Sequence, residues 1–216
     1  MPGWGFTWPI FFKPGTFSEG SFDFLVPQKA VTPKTASSLC ALLPEVFRQK
    51  RRVVILGWSL GGLPAIEAFK RFENEIEKMI LVAVRKKYTP EEIEAQSDLI
   101  KKDRLQALYD FYRRCFLGQK EDFKWFKNEI MKDCIKAFPE NVLLQGLDYL
   151  MQPIDSACLD NEKVCFVYGS KDAIIPEGLR IHQKKAYTIV LHNTGHIPFL
   201  SSEFEIFLKQ TFQTRH

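Results

Sequence analysis

Four short stretches of this chain are apolar without polar alternation, and amphipathic stretches separate them. Arg52-Val53-Val54-Ile55-Leu56-Gly57 is the first, and residues 79–84, 164–168 and 187–191 are the others. Strands hydrophobic on both faces belong to parallel sheets covered on each side, and parallel strands need crossover connections. The spacing of Leu63, Ile66 and Phe69 predicts a helix over 60–72, directly after the first strand. Further helices are expected over 36–50 and, from Phe204, Phe207 and Leu208, over 199–212. The expected class is α/β: a mostly parallel sheet flanked by helices.

Between residues 85 and 157 the strand pattern disappears. Thr89-Pro90-Glu91-Glu92 reads as a helix start, with Thr at the cap, Pro at the first position and acids in the first turn. Helical patterns follow through residue 116, over 121–138 and over 139–151. The predicted organisation is one domain. Residues 1–84 and 158–216 form its core, and 85–157 form a helical insertion capping the C-terminal edge of the sheet, where α/β folds bind ligands.

Composition narrows the class. Hydrophobic residues make up 45% and charged residues 26% of 216, which excludes a disordered chain. Nineteen Phe, six Tyr and four Trp supply a sizeable core. A net charge of +4 is too small to argue for nucleic acid. Cys40, Cys115, Cys134, Cys158 and Cys165 are odd in number and irregularly spaced, which argues against a disulfide framework or zinc site and for a reducing, cytoplasmic setting. Residues 4–12 are apolar, but Pro9 and Pro14 interrupt them and no basic region precedes them, so neither a secretory signal nor a membrane span is expected.

Gly57-Trp58-Ser59-Leu60-Gly61 is a G-x-S-x-G motif between a predicted strand and a predicted helix. In that context it reads as a nucleophile elbow, a strained turn that holds the Ser hydroxyl above the sheet. An alkyl hydroxyl is a poor nucleophile at neutral pH, so a base must take its proton and a carboxylate must orient the base. Asp172 follows the third strand and His196 the fourth, giving the order Ser, acid, His at three C-terminal strand ends. His192 competes for the base role. His196 is preferred because Gly195 supplies a turn and Ile197-Pro198-Phe199 can bury one face of the ring. His182 falls in a stretch expected to be helical, and Asp155 and Asp160 precede their strand. Oxyanion donors are expected from the backbone of Leu60 and, in Gly3-Trp4-Gly5, of Trp4.

Gly3-Trp4-Gly5, Gly57-Trp58-Ser59-Leu60-Gly61-Gly62, Gly169-x-x-Asp172 and Gly195-His196-x-Pro198-Phe199 together resemble the pimeloyl-acyl-carrier-protein methyl ester carboxylesterases of biotin synthesis, α/β-hydrolases with a helical cap. Phe111-Tyr112-Arg113-Arg114-Cys115-Phe116-Leu117-Gly118 and Leu144-x-Gly146-Leu147-x-x-Leu150 extend the resemblance through the cap. The resemblance implies Ser59, Asp172 and His196 as nucleophile, acid and base. It further implies ester contacts from Trp4, Leu60, Phe111, Tyr112, Arg113, Arg114 and Cys115. No cofactor or metal is implied, and the enzyme would be a monomer. Its partner would be an acidic acyl carrier protein bearing the methyl pimeloyl chain. Between residues 111 and 136 seven basic residues face four acids, and Lys120, Lys124 and Lys127 share a helical face. With Arg113 and Arg114 they form the expected carrier contact, and such charges chiefly raise the on-rate.

Two departures stand out. The family's oxyanion loop begins His-Gly after a buried strand, whereas only Met1-Pro2 precede Gly3, so the strands that open the fold are expected to be missing. Val26-Pro27-Gln28-Lys29-Ala30 replaces an Asp-x-x-Gly-x-Gly-x-Ser loop. Two other readings are a capped hydrolase of small esters or thioesters and a degenerate hydrolase that only binds.

Overall fold

The computed structural model describes residues 1–14, 25, 31–49 and 52–212. Among them four strands form one parallel sheet in the order β1-β2-β3-β4: β1 Val54–Trp58, β2 Lys78–Val82, β3 Val164–Gly169 and β4 Tyr187–Leu191. Leu56 pairs with Ile80, Ile80 with Cys165, and Cys165 with Tyr187, so the C-terminal ends lie together. β3 is buried along its whole length, as its unbroken apolar run requires. β4 departs from that pattern: among the described residues it lies at one edge of the sheet, and Tyr187 and Val190 are exposed.

Helices α1 (Pro33–Gln49) and α2 (Gly62–Arg71) pack against one another, and α2 also packs on β1 and β2. α8 (Ser202–Phe212) closes the chain with Phe204, Phe207 and Leu208 buried. The connection between β3 and β4 carries no α-helix. It is an extended loop with a single 3-10 turn at Glu177–Leu179, and His182, expected in a helix, is exposed within it. Pro176 and local bonding explain the difference. Arg180 donates to Gly169 O at 2.9 Å and the Ile181 N–H to the Tyr168 hydroxyl at 3.0 Å, which holds the backbone extended.

Five helices stand between β2 and β3, where the sequence pattern suggested three helical runs: α3 Pro90–Lys102, α4 Arg104–Cys115, α5 Lys120–Glu129, α6 Met131–Ala137 and α7 Glu140–Leu150. Asp103 splits the first run. It ends α3 in extended conformation (φ −156°) and caps α4 by accepting from Gln106 N at 3.0 Å. Ile130 (φ −125°) divides the second.

The N-terminal segment lies against β1. The Met1 amino group donates to Leu56 O at 2.5 Å and Met1 O accepts from Trp58 N at 3.1 Å, and burial lowers that amino group to about 5. Among the described residues no strand precedes β1, and the Val26–Ala30 replacement falls outside them. Phe6 sits at the centre of an aromatic cluster, 4.8 Å from Trp58, 4.9 Å from Tyr112 and 5.3 Å from Phe126. That cluster joins the sheet to helices α4 and α5.

The expected start of α3 is a complete capping box. Thr89 Oγ1 accepts from Glu92 N at 3.3 Å, and Glu92 Oε2 accepts from Thr89 N at 2.8 Å. Replacing Thr89 with Ala should cost about 1 kcal/mol. The thermal unfolding midpoint should fall by about 2–4 °C, and an unchanged midpoint would contradict this role for the cap.

Candidate active site

Ser59 occupies the turn between β1 and α2 with φ +51°, a left-handed conformation that costs a non-glycine residue of order 1–3 kcal/mol. The turn is tight enough to dictate its flanks. A Cβ on Gly57 would stand 2.7 Å from Ala65 Cβ and from Gly61 O. The serine is largely buried at 8% exposure. It opens on a small cleft lined on its apolar side by Leu63, Val84, Leu150 and Ile154 and on its polar side by Arg85 and Lys86.

Asp172 and His196 meet in full burial, with His196 Nδ1 at 2.9 Å from Asp172 Oδ2. The second carboxylate oxygen accepts from Ile174 N at 2.8 Å and Ile175 N at 2.9 Å. Burial alone would raise this carboxyl. The adjacent imidazole and the two N–H groups outweigh it and hold Asp172 below the ordinary carboxylate range. A carboxylate facing Nδ1 fixes the proton on that nitrogen and leaves the Nε2 lone pair free. Nε2 is buried without a hydrogen-bond partner, a state that costs roughly 1–3 kcal/mol. Ser59 Oγ is thus not within hydrogen-bonding reach of it in this structure.

The imidazole lies beside the elbow. Its ring is 5.9 Å from that of Trp58, whose Nε1–H donates to His196 O at 2.8 Å. His192 is exposed and its N–H is bonded to Glu203, so of the two histidines only His196 meets the carboxylate. Asp155 pairs with Lys70 and Asp160 accepts from Lys185 N, both away from the imidazole's partners.

Trp4 and Leu60 are buried; Leu60 directly follows Ser59, and a Cβ on Gly3, the neighbour of Trp4, would stand 3.2 Å from Ser59 Cβ. Trp4 Nε1–H donates to Leu143 O at 2.8 Å, its ring meets Phe111 edge-on at 4.8 Å, and α7 can approach it because Gly146 has no side chain to collide with it. Gly5 (φ +72°) completes the turn in which Phe6 N bonds to Gly3 O, and this turn presents the Trp4 peptide. The proposed cap contacts divide. Tyr112 is sealed in the core, its hydroxyl donating to Gly5 O at 2.7 Å. Cys115 is also fully buried, which pushes its thiol well up, and its carbonyl accepts the His196 N–H at 2.8 Å. Arg113, Arg114, Lys120, Lys124 and Lys127 are exposed.

Sequence reasoning missed Arg85 and Tyr88 at the cleft, although Arg85 to Tyr88 directly follow a buried strand, where ligand sites gather. Arg85 is buried, with its charge balanced by two bonds to Glu92 at 2.9 and 2.5 Å and its guanidinium 4.1 Å above the Tyr88 ring. Lys86 at the rim is exposed. Among the described residues no cluster of three or more His, Cys, Asp or Glu could hold a metal ion, and no helix is long and apolar enough to cross a membrane.

No protein-family model matches the chain. It is similar to the pimeloyl-[acyl-carrier protein] methyl ester esterase of Neisseria meningitidis serogroup C, 28% identical over 163 residues, which are 68% of this chain and 63% of that protein. The protein of the same name from Nitrosomonas europaea is 26% identical over 193 residues, 77% of this chain and 75% of the relative. The chain therefore spans a little under two thirds of the Neisseria relative. Among solved structures, a bromoperoxidase from Bacillus anthracis superposes with a TM-score of 0.76 at 15% identity, covering 98% of this chain and 90% of that one. MGS-M2, an α/β-hydrolase enzyme from a Medee basin deep-sea metagenome library, gives 0.64 at 15% identity over 93% and 78%. The fold is the α/β-hydrolase fold.

The Asp172 carboxyl is depressed in the folded state, so the unfolded chain binds more protons through the window around and below about pH 4. Its contribution is present above the unfolded value and lost as pH falls through the folded one. The stability difference between the native protein and Asp172→Asn should shrink as pH drops from 6 to 3 in urea titrations. A difference constant over that range would contradict the assignment.

Proposed function

We propose that this chain is a serine carboxylesterase working through an acyl-enzyme. The observation that carries the reading is the buried Asp172–His196 pair beside a strained Ser59, with an unpartnered imidazole nitrogen left over. Asp172 holds the Nδ1 proton, so Nε2 is the basic position. When an ester seats in the cleft, Ser59 Oγ closes on Nε2 and attacks the carbonyl carbon as its proton passes to the imidazole. Catalytic hydrogen bonds are commonly long before substrate binds. The oxyanion accepts from the N–H groups of Leu60 and Trp4. The imidazolium, stabilised by Asp172, then protonates the leaving alkoxide, which departs as an alcohol. Water repeats the sequence on the acyl-enzyme, releasing the acid and restoring Ser59.

Within that chemistry the favoured substrate is the methyl ester of a pimeloyl chain on an acyl carrier protein, with methanol as the leaving alcohol. Two features support it: the names of the relatives, and the exposed basic side chains Arg113, Arg114, Lys120, Lys124 and Lys127 on the helical insertion, which suit an acidic partner. In this reading residues 85–157 are the cap over the cleft. A general esterase of small carboxylic esters is the second reading, favoured by the small size of the cleft beside Ser59.

Kinetics separate these outcomes. Ser59→Ala should lower kcat by about 10⁴–10⁶-fold and Asp172→Asn by about 10⁴-fold, by analogy with serine-protease triads. Hydrolysis undiminished in Ser59→Ala would refute the mechanism. Reversing Lys120, Lys124 and Lys127 to Glu should raise KM for methyl pimeloyl-carrier protein and leave p-nitrophenyl acetate unaffected. Equal effects on both substrates, or none on either, would favour the general esterase.

A further inference from the structure

The segment between α4 and α5 grips the loop that carries His196. The His196 N–H donates to Cys115 O at 2.8 Å, and the Gly195 N–H donates to Gln119 Oε1 at 2.9 Å. Gln119 Nε2 donates to Ile197 O at 3.0 Å and to Asp122 Oδ2 at 2.8 Å. Residues 195, 196 and 197 are thus each held by the helical insertion. The approach is as close as backbone allows: a Cβ on Gly195 would stand 2.4 Å from Cys115 O and 2.8 Å from Leu117 O. Gly118 matches it from the other side at φ +87°, with Asn193 O 2.6 Å from where its Cβ would be.

Gln119 is only 7% exposed, and its partners leave its amide one orientation. The Asp122 carboxylate and Ile197 carbonyl only accept and the Gly195 N–H only donates, so both ends of the amide are fixed. Asp122 is itself paired with Lys13 of the N-terminal segment. An apolar residue could fill this volume, but it would leave Gly195 N and Ile197 O without these partners. A carboxylate could accept from Gly195 but would repel Asp122 and add charge near the imidazole. A neutral amide fixes the loop without perturbing the Asp172–His196 electrostatics.

Building on the esterase reading above, we propose that Gln119 is a positioning residue for the base, through which the helical insertion sets where His196 Nε2 stands relative to Ser59. A displacement of about 1 Å at a catalytic group can cost 10²-fold in rate. Gln119→Leu should therefore lower kcat for p-nitrophenyl acetate by about 10–100-fold with KM within about twofold. Asp122→Ala removes the anchor of the amide without touching the loop and should lower kcat several-fold in the same direction, should Gln119→Leu fold poorly. Arg104→Met is the stability control, because Arg104 joins α4 to the end of the helix before Pro139 through Ile135 O at 2.9 Å and Phe138 O at 2.8 Å. It should lower Tm and leave kcat alone. Proton NMR reads the clamp independently of turnover: the downfield resonance of the proton bridging His196 and Asp172 should broaden or vanish in Gln119→Leu and persist in Arg104→Met. Native kcat and an intact resonance in Gln119→Leu would overturn the proposal. If the native protein hydrolyses no ester, the esterase reading fails, and the resonance still decides whether Gln119 positions the histidine.

Discussion

A carboxylate and an imidazole shut away from water at 2.9 Å are the constraint around which this site is organised. Removing both groups from solvent is costly, and only a dense set of hydrogen bonds offsets it. Asp172 gains two backbone N–H groups from its own loop, and the loop of His196 is tied to it by the Lys171 N–H donating to Thr194 O at 2.8 Å. Those bonds exist because β3 and β4 are adjacent and parallel, so their C-terminal loops leave the sheet side by side. The sheet order comes first, and the polar pair follows from it.

The same logic explains what could be read from the sequence. β-branched and apolar runs announced the strands, and turn motifs at their C-terminal ends marked Ser59, Asp172 and His196, of which Asp172 and His196 meet directly. Edge exposure of β4 could not be read, because Tyr187 to Leu191 is as apolar as a central strand and only sheet order distinguishes them. The helix-free crossover was hidden for a related reason. Its extended form depends on bonds from Arg180 and Ile181 to Gly169 and Tyr168, partners that no local pattern reveals. Asp103 is an ordinary polar residue by periodicity, yet it ends one helix and caps the next.

Within the site, legibility divided by whether a residue's role is local. Gly57 and Ser59 act through the turn they occupy, and a motif captures that. Gln119 acts through residues 76 and 78 positions away, so nothing adjacent marks it. Tyr112 and Cys115 show the reverse: family resemblance drew attention to them, and the structure gives their polar atoms work inside the protein, on Gly5 and on the backbone of His196. The cleft adds Arg85, whose charge is already balanced by Glu92, and Lys86, which is exposed at the rim.

The central claim is that Ser59 is a nucleophile activated by His196. Its most direct measurement is intact-protein and peptide mass spectrometry after brief exposure to a fluorophosphonate, which phosphonylates an activated serine and mimics the tetrahedral intermediate. The account predicts one adduct, on Ser59, formed rapidly in the native protein and lost in His196→Ala. No adduct, or one whose formation does not depend on His196, would contradict it.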